Sequence, residues 1–187
     1  MVYVFLADGF ETVEALAVVD VLRRAGIETR TVGVTGAVVT SAHGIPVTAD
    51  IDRMDDDWTP LADADMLILP GGLVGVNNLA KCERLMAAVA DAMENRRPVA
   101  AICAAPTLLS GPGWLKGRGA VCHPSLKDKL TDAGAEYVEG DGVVVDDNVI
   151  TGRAAGDSID FALAIVAFLK DDAAAEAVRR AMCHGPR

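Results

Sequence analysis

The chain has 187 residues, about one domain's length; 51% are hydrophobic but only 4% aromatic, so its core is built mainly from Ala, Val, Leu and Ile. A net charge of −10 with no Lys- or Arg-rich block leaves no footprint for a nucleic-acid partner. No apolar run approaches a membrane span, and the N-terminal one is too short, and lacks the basic flank, for a signal peptide.

Val2 to Leu6 is a continuous apolar run, the pattern of a buried parallel strand. Glu11 to Ala25 carries apolar residues at helical spacing and ends at Gly26, a good helix stop. Ile27 to Val34 is a second strand, and Val38 to Val47, broken at Ser41 to Gly44, is a small hairpin or irregular excursion. Asp55-Asp56-Asp57 is a solvated loop. Asp65 to Leu69 is a buried strand running into Pro70-Gly71-Gly72, and Cys82 to Glu94 is helical. Val99 to Ile102 is a strand, with a helix starting over Ala104 to Leu109; Ser125 to Ala133 is a short helix. Three short strands follow at Glu136 to Val138, Gly142 to Val145 and Val149 to Thr151. Asp157 to Lys170 is an apolar helix, and Asp171 to Cys183 an Ala-rich helical tail. Strand and helix alternate, so the predicted class is α/β: a mostly parallel sheet covered on both faces, in one domain over residues 1–187.

Four cysteines, Cys82, Cys103, Cys122 and Cys183, are widely spaced with no CxxC pair, which argues against a zinc ribbon or a dithiol site. The expectation is a soluble cytoplasmic protein with free thiols, no metal and no membrane partner. Cys103 ends a strand and precedes a helix start, where a helix dipole stabilises a thiolate and lowers its pKa. A small buried core residue is the other reading of the same position.

In open α/β sheets, sites form beyond the C-terminal strand ends. Glu11 and Glu14 open the first helix three residues apart, where carboxylates also simply suit the helix dipole. One of them can reach Cys103 if the strand at Val2 and the strand at Val99 are neighbours. The Pro70-Gly-Gly-Leu-Val-Gly75 loop can offer backbone N–H groups or be a plain tight turn, and it fits no phosphate or dinucleotide fingerprint. His123 can serve as a base for the thiol or lie on the surface.

Val19-Asp-Val-Leu-Arg-Arg-Ala-Gly-Ile27, Leu69-Pro-Gly-Gly-Leu-Val-Gly75, Ala100-Ala-Ile-Cys-Ala-Ala-Pro-Thr107, His123-Pro-Ser-Leu-Lys-Asp-Lys129 and Phe161-Ala-Leu-Ala-Ile-Val166 occur in this order. In these segments the chain resembles the ThiJ/PfpI superfamily, in the branch of the parkinsonism-associated protein and its bacterial relatives, over about residues 1 to 170. The resemblance implies a flavodoxin-like three-layer sandwich and a homodimer with its site near the interface. It implies Cys103 as the reactive thiol, Glu14 as its partner acid, His123 beside them, Gly72 and Ala104 as backbone donors, and Arg24 at an anion site across the interface. It further implies cofactor-independent, glyoxalase III-type or deglycase chemistry on methylglyoxal or glyoxal. A redox sensor, in which Cys103 is oxidised to a sulfinate held by protonated Glu14, is the competing class.

Departures are informative. His43 stands where family members often have Arg, so it is the second candidate at the anion site; Arg153-Ala-Ala-Gly156 lacks a family Pro. Ala104, where related peptidases need His, argues against proteolysis, and the late His184 is a poor amidotransferase His. Cys103 is expected at positive φ, Glu14 in hydrogen-bond reach of its sulfur, and Glu11 capping the helix or facing solvent. Cys122 is a resolving thiol or a buried strand-end residue, and Cys183-His184 an adventitious metal binder at most.

Overall fold

A computed structural model of the chain describes residues 1–52 and 59–185. The expected Asp55-Asp56-Asp57 loop lies outside the described residues. In chain order the elements are β1 (Val2–Leu6), α1 (Thr12–Arg24), β2 (Thr29–Gly33), β3 (Val38–Thr40), β4 (Pro46–Thr48), β5 (Ile51–Asp52), β6 (Met66–Leu69), α2 (Leu73–Ala80) and α3 (Glu83–Glu94). Then come β7 (Val99–Ile102), α4 (Pro106–Ser110), β8 (Gly119–Ala120), α5 (Lys127–Thr131), β9 (Glu136–Tyr137), β10 (Val143–Asp146), β11 (Val149–Gly152), α6 (Ser158–Leu169) and α7 (Asp172–Ala181).

Seven strands form one sheet in the order β10-β11-β7-β6-β1-β2-β5. All neighbours pair in parallel except β10 with β11, so the mostly parallel α/β sheet expected from the alternation is present. Strand residues alternate between two cores, as the two-residue period of a strand requires. Val2, Val4, Leu6, Met66, Ile68, Ala100 and Ile102 pack with α1 and α6 on one face. Tyr3, Phe5, Leu67, Leu69, Val99 and Ala101 pack with α2 and α3 on the other. Each large side chain so enclosed contributes about 1.5–3 kcal/mol. No helix among the described residues is long and apolar enough to cross a membrane.

Three local expectations need correction. The segment after Gly72 is a helix, α2, whose Gly75 lies so close to the β1–α1 loop that an added Cβ would sit 2.7 Å from the Phe10 nitrogen. Close backbone packing, not a loop, is what that glycine serves. The helix after Cys103 starts only at Pro106 and is five residues long. Of the two readings of residues 38–47, the hairpin holds, β3 pairing antiparallel with β4. Finally, β1 and β7 are not neighbours, because β6 lies between them.

Candidate active site

The C-terminal ends of β1, β6 and β7 lead into the three loops that build the site. Cys103 follows β7 directly and has φ +65, as expected for a thiol at a sharp turn. Its N–H still donates to Gly152 of β11 at 2.9 Å, and its carbonyl accepts from His123 N–H at 2.9 Å, so the strained turn is held from both sides. Glu14, on the first turn of α1, is 1% exposed and spans the width of β6 to reach the thiol. Gly71 makes that path possible. A Cβ there would lie 2.4 Å from Glu14 Oε2 and 2.6 Å from Cys103 Cβ. Gly71 N–H donates to Glu14 Oε2 at 2.9 Å, while Oε1 is buried with no hydrogen-bond partner.

Glu14 and Cys103 are hydrogen-bonded to each other, and each disturbs the other's titration. Burial pushes the Glu14 carboxyl up to about 7; the Glu11 charge adds to the rise, and hydrogen bonds from Cys103 and Gly71 oppose it. Burial, then the charge of Glu14 and the hydrogen bond to it, push the Cys103 thiol up to about 12; N–H groups of Gly72 and Ala104 pull it down. The expectation of a lowered thiol pKa is thereby overturned. The helix behind the thiol is too short to offset burial beside an ionised carboxylate. The two groups share their protons as a pair, and a thiolate is reached together with a protonated Glu14.

Above the pair is a cavity of about 280 Å³, lined by Glu11, Leu73, His123, Ser125 and Leu126 with Gly72, Cys103 and Ala104. His123 is at its wall, but its Nδ1 accepts from Ser125 N–H at 3.3 Å and lies 2.8 Å from Ser125 Oγ. An accepting Nδ1 leaves the proton on Nε2, so His123, which is exposed, fits the surface reading and presents a donor rather than a base at the cavity wall. Glu11 neither caps α1 with its side chain nor faces bulk water. Its side chain is 19% exposed, and Oε1 lies 3.6 Å from His43 Nδ1, on the β3–β4 hairpin.

Arg24, at the opposite end of α1, pairs with Asp20 at 2.7 Å and does not join the site within one chain. Cys122 is fully buried, donates to the His123 carbonyl at 3.4 Å and has its pKa pushed up by burial to about 11, which fits the strand-end reading. Cys82 opens α3 without a side-chain cap, and Cys183 is exposed. His184 contacts Asp160 at 3.1 Å, beside Arg179. Sequence reasoning missed Gly71, Ser125 and the cavity-lining place of Glu11. The Pro-Gly-Gly turn and the His-x-Ser spacing were the available signals.

The sequence pattern described as the DJ-1/PfpI family matches residues 1–168. The chain is 37% identical to DJ-1 homologs B and A of Arabidopsis thaliana over 86% of its length, but spans only 36% and 40% of theirs. It is 31% identical to a glutathione-independent glyoxalase of Caenorhabditis elegans, over 92% of this chain and 90% of that one. Identity to a deglycase of Thermococcus kodakarensis is 33%, over 83% and 91%. The crystal structure of Drosophila melanogaster DJ-1beta superposes with a TM-score of 0.90 at 31% identity, over 99% and 98% of the two chains.

Proposed function

The chain belongs to the DJ-1/PfpI family, and on that premise we propose that it is a cofactor-independent enzyme of the glyoxalase and deglycase type. The observation that carries the reading is the buried Glu14 carboxyl, raised to about 7, against the Cys103 thiol beneath a small cavity. An acid poised near neutrality moves protons in both directions at little cost. Two relatives named a glyoxalase and a deglycase support the same class.

Methylglyoxal serves as the example substrate. Cys103 Sγ adds to the aldehyde carbon, and the carbonyl electron pair becomes an alkoxide that takes up the thiol's proton by way of Glu14. Backbone N–H groups of Gly72 and Ala104 hold negative charge at the sulfur as it attacks. Glu14 then removes the remaining hydrogen on that carbon as a proton, and the electron pair passes into an enediol. Return of a proton at the neighbouring carbon leaves the thioester of lactate. Water adds to the thioester and expels the sulfur, freeing lactate and restoring the thiol. His123 donates from Nε2 to substrate oxygen and plays a supporting part.

Lactate formation from methylglyoxal by the purified protein tests the reading. Cys103→Ala and Glu14→Gln both reduce it to background, one removing the nucleophile and the other the proton carrier; His123→Ala only slows it. Turnover that survives Cys103→Ala, or that depends on added zinc, sinks the mechanism. The reading takes the working form as a homodimer, with Arg24 at an anion site across the interface and apart from the Cys103 cavity; a monomer by light scattering removes that site.

A further inference from the structure

Among the described residues, Glu11 is the one carboxylate lining the cavity over Cys103, and no Lys or Arg lines it. A carboxylate at a helix start ordinarily caps the first N–H groups. Glu11 makes no such bond through its side chain, although its backbone is fixed by N–H donation to the Gly71 carbonyl at 2.9 Å. Its charge is felt at the floor of the cavity, where it acts on Glu14. His43, 3.6 Å from Glu11 Oε1, is 68% exposed and stands outside the cavity wall. The imidazole of this pair thus faces solvent, while Glu11 is the member that lines the cavity.

We propose that Glu11 is a specificity-determining residue whose carboxylate turns anionic 2-oxo acids away from Cys103 and keeps the cavity for uncharged 2-oxoaldehydes. The proposal rests on the thiol-addition chemistry above and adds the charge class of the substrate to it. Glyoxal and methylglyoxal carry no charge. Glyoxylate offers the same aldehyde carbon with a carboxylate attached, and a cavity of about 280 Å³ gives that carboxylate no distant place to lie. Two unit negative charges about 5 Å apart cost about fourfold in rate even at the dielectric constant of water, and more against a half-buried wall. Backbone amides attract anions, but those of Gly72 and Ala104 are already directed at the sulfur.

The test compares two alkylating reagents of nearly equal size, neutral iodoacetamide and anionic iodoacetate. In both, sulfur displaces iodide and forms one C–S bond, so no turnover is needed. Peptide mass spectrometry reads the rate ratio at Cys103, with the exposed Cys183 of the same chain as internal reference. The expected result is a neutral-over-anionic preference at Cys103 well above that at Cys183, falling by about fourfold or more in Glu11→Gln. His43→Arg, which places a fixed cation beside Glu11, lowers the preference in the same direction and serves if Glu11→Gln does not fold. In parallel, the kcat/KM ratio of methylglyoxal to glyoxylate falls in Glu11→Gln. An alkylation ratio at Cys103 equal to that at Cys183, or unchanged in both variants, overturns the proposal. Absence of lactate formation with an intact, Glu11-dependent alkylation preference overturns the enzymatic reading instead and leaves Glu11 as the charge filter of a reactive thiol.

Discussion

An ionised Glu14 is held 1% exposed with one oxygen unpartnered, so folding favours its neutral form. Below its ordinary value of 4.5 the carboxyl is protonated in folded and unfolded chains alike, and pH has no effect through it. Between 4.5 and about 7 the unfolded chain gives up the proton while the folded one keeps it, so stability falls as pH rises. Above about 7 the loss is complete, at about 3 kcal/mol. Glu14→Gln keeps an acceptor for Gly71 N–H and removes the charge. Urea denaturation should therefore show the variant gaining on the parent protein by about 3 kcal/mol between pH 4.5 and 8; a difference that does not change with pH refutes this account. Activity and stability pull opposite ways at this position, since the same substitution stops proton transfer.

Helix α2 carries Gly75 in its first turn, where Ala has the better helix propensity by about 1 kcal/mol. Packing decides the sign. The added methyl would meet Phe10 N at 2.7 Å, Phe10 Cα at 2.8 Å and Gly9 carbonyl carbon at 2.9 Å, all of them backbone that cannot rotate away. Gly75→Ala should therefore destabilise by about 1–2 kcal/mol despite the propensity gain, measured by urea unfolding at fixed pH. Because the displaced loop leads straight into Glu11 and Glu14, turnover should fall by more than the unfolded fraction accounts for. An unchanged or raised stability means that α2 slides to relieve the contact.

At the scale of the molecule, β1, β6 and β7 occupy the middle of the sheet and bear both cores, while β5 and β10 form its edges. Amide exchange should rank accordingly: Val4, Ile68 and Ala101 open only with global unfolding, and Ile51 and Val145 exchange first. Equal protection at edge and centre contradicts that order. The central strands were readable in the sequence because burial on both faces makes them continuously apolar, as in Met66-Leu-Ile-Leu69. Helix α2 was not, because Gly71, Gly72 and Gly75 look like a loop until the loop they press against is in place. The Cys103 turn was readable from a strand meeting Pro106, and its positive φ followed. Its titration was not, because that depends on burial and on a carboxyl 89 positions earlier in the chain, brought near across β6. Spacing alone left Glu11 and Glu14 equivalent on one helix face. What separates them is Gly71, whose missing side chain admits Glu14 to the thiol.

The β3–β4 hairpin is joined to the β1–α1 loop by main-chain bonds, Gly9 N–H to the Thr40 carbonyl at 2.8 Å and Ala42 N–H to the Phe10 carbonyl at 2.8 Å. Main-chain bonds are indifferent to side-chain identity. Position 43 can therefore drift, by single substitutions, through neutral, basic and acidic residues without disturbing the thiol or its partner acid. Selection for a new substrate has a separate dial here, mounted beside the reaction centre and mechanically uncoupled from it. A lineage could retune what enters long before it altered what happens inside.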